Sequence, residues 1–171
     1  MDATGNILIR PLTQDDAELY REIRLESLKC NPEAFSSTFD REHAQPLSWF
    51  EERLTNYDVV GAFRDGDLVG VLGLLVHAGK SGHKGMLWGT YVRKDARNAG
   101  LGRRLVDAVI EIARQRVEVL QVSAVTENES ARRLYSGAGF IEYGVEKKSM
   151  KQDGRYYDEV LMAMDLTGDC G

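Results

Sequence analysis

Met86-Leu87-Trp88-Gly89-Thr90-Tyr91-Val92, then Arg93-Lys94-Asp95-Ala96-Arg97-Asn98, then Ala99-Gly100-Leu101-Gly102-Arg103-Arg104, is the stretch on which the fold turns. The first segment reads as a strand and the second as a basic loop. From Gly100 to Arg114 the apolar residues Leu101, Leu105, Val109 and Ile112 follow helical spacing, with Arg103, Arg104, Asp107, Glu111 and Arg114 mostly outside. A strand therefore runs through a glycine-containing loop into an amphipathic helix. The first N–H groups of a helix lack internal partners and carry the positive end of its dipole, so they hold phosphate well. Gly100 and Gly102 remove side chains that would keep a pyrophosphate from those amides, and Arg97, Arg103 and Arg104 add charge-assisted donors.

Upstream, Val59 to Phe63 and Leu68 to Val76 flank Arg64-Asp65-Gly66-Asp67, a strong hairpin signal. With Met86 to Val92 they predict an antiparallel meander. Before it, Ile7-Leu8-Ile9 is a short strand closed by Arg10-Pro11. Thr13 and Asp16 approximate a capping box for a helix to about Leu28, with Leu19, Tyr20 and Ile23 toward the core, and Asn31-Pro32 stops it. Residues 33–45 read as irregular, and Leu47, Phe50 and Leu54 mark a second short helix.

Downstream, Val119 to Val125 is a β-branched strand. Asn128 is a good N-cap for a helix carrying Ala131, Leu134, Tyr135 and Ala138, which Gly137 and Gly139 terminate. Phe140 to Val145 and Glu159 to Leu166 are the final strands, joined through Lys151-Gln152-Asp153-Gly154. The order β-α-α-β-β-β-α-β-α-β-β predicts an α/β (mixed α+β) fold, a mostly antiparallel sheet flanked by helices. No repeat or linker divides the chain, so residues 1–171 are expected to form one domain with its core over about 7–166.

Composition narrows the function. The chain of 171 residues carries 22 Lys+Arg against 27 Asp+Glu, a net charge of −5, which argues against a general nucleic-acid binder. Yet Arg93 to Arg104 holds five basic residues and one acid, so a small phosphorylated ligand has a local basic seat. Cys30 and Cys170 make no disulfide framework, and no Cys/His spacing suits zinc, so no metal is expected. Met1 to Asn6 lacks the basic and apolar regions of a signal peptide. The longest apolar run, Leu68 to Val76, falls well short of the ~20 residues of a spanning helix. A cytoplasmic protein without membrane or nucleic-acid partners is expected.

Two other phosphate motifs fail. Gly79-Lys80-Ser81 resembles the end of a Walker A loop, but Leu74 stands where the first glycine belongs and no helix follows. Gly100-Leu101-Gly102 could open a dinucleotide fingerprint, but Leu105 stands at its third glycine. Instead, Arg97-Asn98-Ala99-Gly100-Leu101-Gly102 fits the [RQ]-x-x-G-x-[GA] pyrophosphate loop of the GCN5-related N-acetyltransferase superfamily. The segment Asn128 to Phe140, with Ala131, Leu134-Tyr135 and Gly139-Phe140, fits that superfamily's Asn-x-x-Ala-x-x-Leu-Tyr…Gly-Phe pattern. The element order fits over about residues 7–166, so the chain resembles a small single-domain member.

That resemblance implies acetyl transfer from acetyl-CoA to a primary amine by direct attack in a ternary complex. It implies that the fourth and fifth strands splay apart near Trp88–Val92 and Gln121–Val125, with pantetheine in the gap. Backbone groups of Tyr91 and Val92 would hold the pantetheine, and Arg97, Asn98, Ala99, Gly100, Leu101, Gly102 and Arg103 the pyrophosphate. Asn128 is similar to the family asparagine that contacts the CoA arm. Tyr135 matches the proposed general acid, which protonates the departing thiolate; packing in the core is its other reading.

The general base is open. Many members carry a Glu on the fourth strand, but Met86 to Val92 has no carboxylate. Glu127 is a candidate through a water, an exposed acid beside an N-cap being the plainer reading. His43, His77 and His83 fall in predicted loops without partners. The acceptor pocket is expected from residues 31–45 and 147–157, with Phe35, Trp49, Tyr156 and Tyr157 shaping it and Glu33, Asp40 and Glu42 drawing a cationic amine. A small-molecule amine is the expected acceptor, and the resemblance makes a homodimer the expected assembly. The alternatives are a protein N-terminal or lysine acetyltransferase, a CoA-binding sensor without turnover, and a nucleotide-binding regulatory domain.

Overall fold

The Arg64-Asp65-Gly66-Asp67 turn joins two strands, and the meander it begins is the middle of a seven-stranded sheet. In the computed structural model, which describes residues 5–168, the strands are β1 (Ile7–Pro11), β2 (Asp58–Arg64), β3 (Asp67–Val76), β4 (Lys84–Val92), β5 (Val119–Val125), β6 (Ile141–Gln152) and β7 (Arg155–Asp165). They lie in the order β1-β2-β3-β4-β5-β7-β6, and only β4 with β5 is parallel. A parallel pair needs a crossover helix. Here that helix is the amphipathic one opened by the basic loop. Cys170 and residues 1–4 lie outside the described residues.

The helices are α1 (Ala17–Cys30), α2 (Phe39–His43), α3 (Leu47–Asn56), α4 (Leu101–Arg114) and α5 (Glu129–Ala138). Strand alternation sends side chains to two cores. On one face Val60, Ala62, Leu72 and Leu74 meet Leu105, Val106, Val109 and Ala113 of α4. On the other, Val59, Phe63, Leu68 and Val71 meet Tyr20 and Ile23 of α1 and Phe50 and Leu54 of α3. Asp16 ties the start of α1 to β1: its carboxylate accepts from the Thr13 amide at 2.8 Å and from Arg10 at 2.8 Å.

Three expectations are corrected, and one open reading is closed. Leu19 is 42% exposed; the core side of α1 belongs to Tyr20 and Ile23. Residues 33–45 hold a 3-10 turn at Pro32–Ala34 and the short α2, capped by the Thr38 hydroxyl, which accepts from the Arg41 amide. Residues 147–157 are not a loop: β6 and β7 continue to a tight turn at Asp153-Gly154. β6 is an edge strand, mostly exposed, so it carries no alternating apolar signal to mark its length. Trp88, whose face the sequence left open, lies on the α1/α3 side beneath the guanidinium of Arg53.

Candidate active site

β4 and β5 pair only from Lys84–Met86 to Val119–Gln121, and then part. The cause lies within β4. Gly73 pairs with Trp88 and Val71 with Tyr91, so Gly89 and Thr90 oppose the single residue Leu72. This bulge bends the strand, and Gly89 takes the left-handed φ of 69° that a side chain would resist. The edge of Leu87–Val92 that faces β5 is left without a ladder partner. A gap of about 110 Å³ opens there, lined by Trp88, Thr90, Ser123 and Tyr135 among others. It shares Thr90, Val125 and Asn128 with a larger cleft of about 870 Å³.

The start of α4 forms the far wall of that cleft. Gly100, at the N-cap, has a φ of 73° and offers no side-chain cap, and no acid occupies the first turn. The leading amides are therefore open to an anion. A Cβ on Gly100 would meet nothing within 4 Å, while one on Gly102 would reach Leu134 of α5 at 3.4 Å, narrowing the cleft between the helices. Val92, Arg97, Asn98 and Arg103 line the same wall; Ala99 and Arg104 are outside it. Arg97 is held by a 2.9 Å bond from Nε to the Val92 carbonyl and lies over the Tyr91 ring. Arg103 is held by Asp107 at 2.8 Å and the Gly137 carbonyl at 2.7 Å. Open amides beside two fixed guanidinium groups fit a pyrophosphate.

Tyr91 also lines the cleft, and its ring is buried in the core shared with α1, beneath Arg97. Burial, reinforced by the charge of Glu26, pushes its phenol up to about 12. Tyr135 is 4% exposed, and its hydroxyl lies 2.8 Å from Thr90 Oγ1 in the bulge. Burial raises its pKa against the opposing hydrogen bond to Thr90, so it is a neutral O–H donor at physiological pH. The Asn128 side chain caps α5, accepting from the Ala131 amide at 3.1 Å, and the residue borders both cavities. Glu127 also borders the cleft, but it is well exposed and ion-paired with Arg155 at 2.5 Å.

On the other side of the gap the expected acceptor residues separate. Phe35, Glu33 and Tyr157 line the cleft. Trp49 packs in the α1/α3 core under Arg53, and Tyr156 is 50% exposed. Asp40 is exposed on α2, and no histidine lines either cavity. Glu42 cannot draw an amine: it is buried and bidentate to Arg24, at 2.9 and 2.8 Å. Sequence reasoning missed Gly89 and Ser123. An isolated glycine within a strand is a bulge signal, and a serine among β-branched neighbours marks a polar need on one sheet face.

The comparisons with known proteins agree with this geometry. Residues 20–140 match the model of the acetyltransferase (GNAT) family. The chain is 28% identical over 164 residues to the L-amino acid N-acetyltransferase AaaT of Escherichia coli, covering 93% of this chain and 98% of that one. It is 26% identical over 151 residues to the N-alpha-acetyltransferase RimI of Mycobacterium tuberculosis, covering 88% and 89%. The structure of yncA from Salmonella typhimurium with its cofactor acetyl-CoA superposes with a TM-score of 0.80 at 22% identity, covering 98% of each chain. With the split β4–β5 pair and the open start of α4, the family match establishes that this chain belongs to the acetyltransferase (GNAT) family.

Proposed function

We propose that the protein transfers the acetyl group of acetyl-CoA to the primary amine of a small molecule, with free L-amino acids the first class to test. The observation that carries this reading is the continuous path from the split between β4 and β5 to the uncapped start of α4. When bound, acetyl-CoA supplies an activated acyl carbon and a thiolate leaving group. The leading amides of α4, with Arg97, Asn98, Gly100, Leu101, Gly102 and Arg103, bind the pyrophosphate. Backbone groups of Tyr91 and Val92 on the unpaired edge of β4 hold the pantetheine arm, and Asn128 borders it. Tyr135 gives its proton to the sulfur as the C–S bond breaks. Glu127, committed to Arg155 at the rim, is poorly suited to act as the base.

A second reading, acetylation of a protein N-terminus, is favoured by the relative named an N-alpha-acetyltransferase. Both readings place the protein in the cytoplasm, with a homodimer as the assembly to look for by light scattering. Thiol release from acetyl-CoA across free L-amino acids, polyamines, aminoglycosides and short peptides separates them. Turnover with free amino acids supports the first reading. Turnover confined to peptides replaces it with the second, and acetyl-CoA binding without turnover on any amine points to a sensor.

A further inference from the structure

The gap between β4 and β5 has an acid on one side and no visible base. Tyr135, hydrogen-bonded to Thr90, is the proposed proton donor, yet β4 carries no carboxylate and Glu127 is held by Arg155. The strand beyond β5 supplies one. Glu159 of β7 pairs with Val125 across the β5–β7 ladder, and Val125 lines the gap. Its carboxylate reaches diagonally to Ser123, whose hydroxyl donates to Oε1 at 3.1 Å. Val122 and Ala124 point into the α4/α5 core. By alternation Ser123 points to the opposite sheet face, where Phe35 and Trp88 also line the gap.

We propose that Ser123 and Glu159 form the proton-accepting relay for the acceptor amine. This inference rests on the acetyltransferase reading and assigns its missing half. The far side of Glu159 supports the role. Ser149 donates to its Oε2, and the same hydroxyl lies 3.2 Å from Glu146 Oε2. Glu146 stands directly opposite Glu159 in the β6–β7 ladder. One hydroxyl proton cannot serve two carboxylates, and facing like charges destabilise a strand pair. A cation beside Ser123 relieves that repulsion, and the acceptor arrives as an ammonium.

The protons balance. The ammonium loses one proton through Ser123 to Glu159 and on to solvent, leaving a nucleophilic nitrogen. As the C–N bond forms and the C–S bond breaks, the nitrogen gives a second proton to Ser123 Oγ, which passes its own to Glu159 Oε1. Tyr135 protonates the departing thiolate and is reprotonated from solvent. The net yield is an amide, a thiol and one proton.

The test uses the full chain with whichever free amine in the panel turns over fastest. Calorimetric acetyl-CoA affinity and thermal melting serve as readouts of binding and fold. Glu159→Gln should lower kcat/KM for the amine by about 100-fold or more, with acetyl-CoA affinity unchanged within about twofold. It should also remove the acidic limb of the pH–rate profile. Glu159→Asp should restore part of the rate, and Ser123→Ala should cost about tenfold. The other acids nearby are Glu146, opposite on β6, and Glu33, on the turn packed against β5 and β6. Glu146→Gln and Glu33→Gln should both keep the acidic limb. A Glu159→Gln enzyme within about threefold of wild type, with its acidic limb intact, overturns the relay while leaving the transferase reading standing. So does a limb that disappears with Glu146→Gln instead.

Discussion

Tyr135 shows how one side chain can pack in the core and still present a polar atom to the opening between the strands. Its ring belongs to the core beneath α4 and meets Phe140 edge-on at 5.9 Å, while its hydroxyl emerges at the bulge beside Thr90. The sequence offered core residue and acid as rival readings; the structure gives the ring the first place, and the position of its hydroxyl leaves the second to kinetics. The helical stripe of Ala131, Leu134 and Ala138 made the burial legible, but nothing local placed Thr90 against the hydroxyl, because that contact spans 45 positions. Tyr135→Phe keeps the ring and removes the donor. We expect kcat to fall on the order of tenfold to a hundredfold with acetyl-CoA affinity nearly unchanged, read by steady-state kinetics beside calorimetry. An unaltered kcat would leave Tyr135 a purely structural residue.

At the scale of elements, the helices and central strands were legible where a strong period coincided with caps. α4 has one continuous apolar stripe, and α5 begins at Asn128 and ends at Gly139 as its capping residues require. What escaped lacks such a period. α2 is five residues long, too short to show one, and is held by tertiary contact. That contact is the buried Arg24–Glu42 pair, which bolts α2 to α1. Burial opposes ionisation of Glu42, but the hydrogen bonds and charge of Arg24 prevail and hold its carboxyl below the usual range. A depressed folded pKa means stability that is present above the unfolded value of about 4.3 and is lost as pH falls through the lower folded value. Glu42→Gln leaves a buried guanidinium short of its counter-ion and should cost about 3–5 kcal/mol at pH 7. Urea unfolding at pH 7 and in acid checks both parts, since the variant should lose part of the wild-type acid sensitivity. Equal midpoints for the two proteins at pH 7 would deny the pair its role.

For the whole molecule, a single strand irregularity organises the candidate site. The bulge at Gly89–Thr90 ends the β4–β5 pairing, the crossover through α4 brings an uncapped helix start to the same opening, and β7 lies beside β5 on the other side. The loop from Arg97 to Gly102 was readable because its candidate phosphate seat is local, made of consecutive amides and nearby guanidinium groups. The proposed acceptor side was not, because it draws on β4, β5, β7 and the α1–α2 connection, and no short stretch of sequence records that juxtaposition. Even the charge divides this way, with a basic segment at the cleft wall in a chain of net charge −5. The most direct measurement is calorimetric titration of acetyl-CoA into the wild-type protein and into Gly102→Glu, with ATP as the competing ligand. Gly102 has space for a small side chain beside Leu134, so the glutamate should leave the fold intact while setting a negative charge at the pyrophosphate seat. The expected result is saturable acetyl-CoA binding by the wild type, at least about tenfold weaker in the variant and preferred over ATP. Equal affinity in the two proteins, or a preference for ATP, would contradict it.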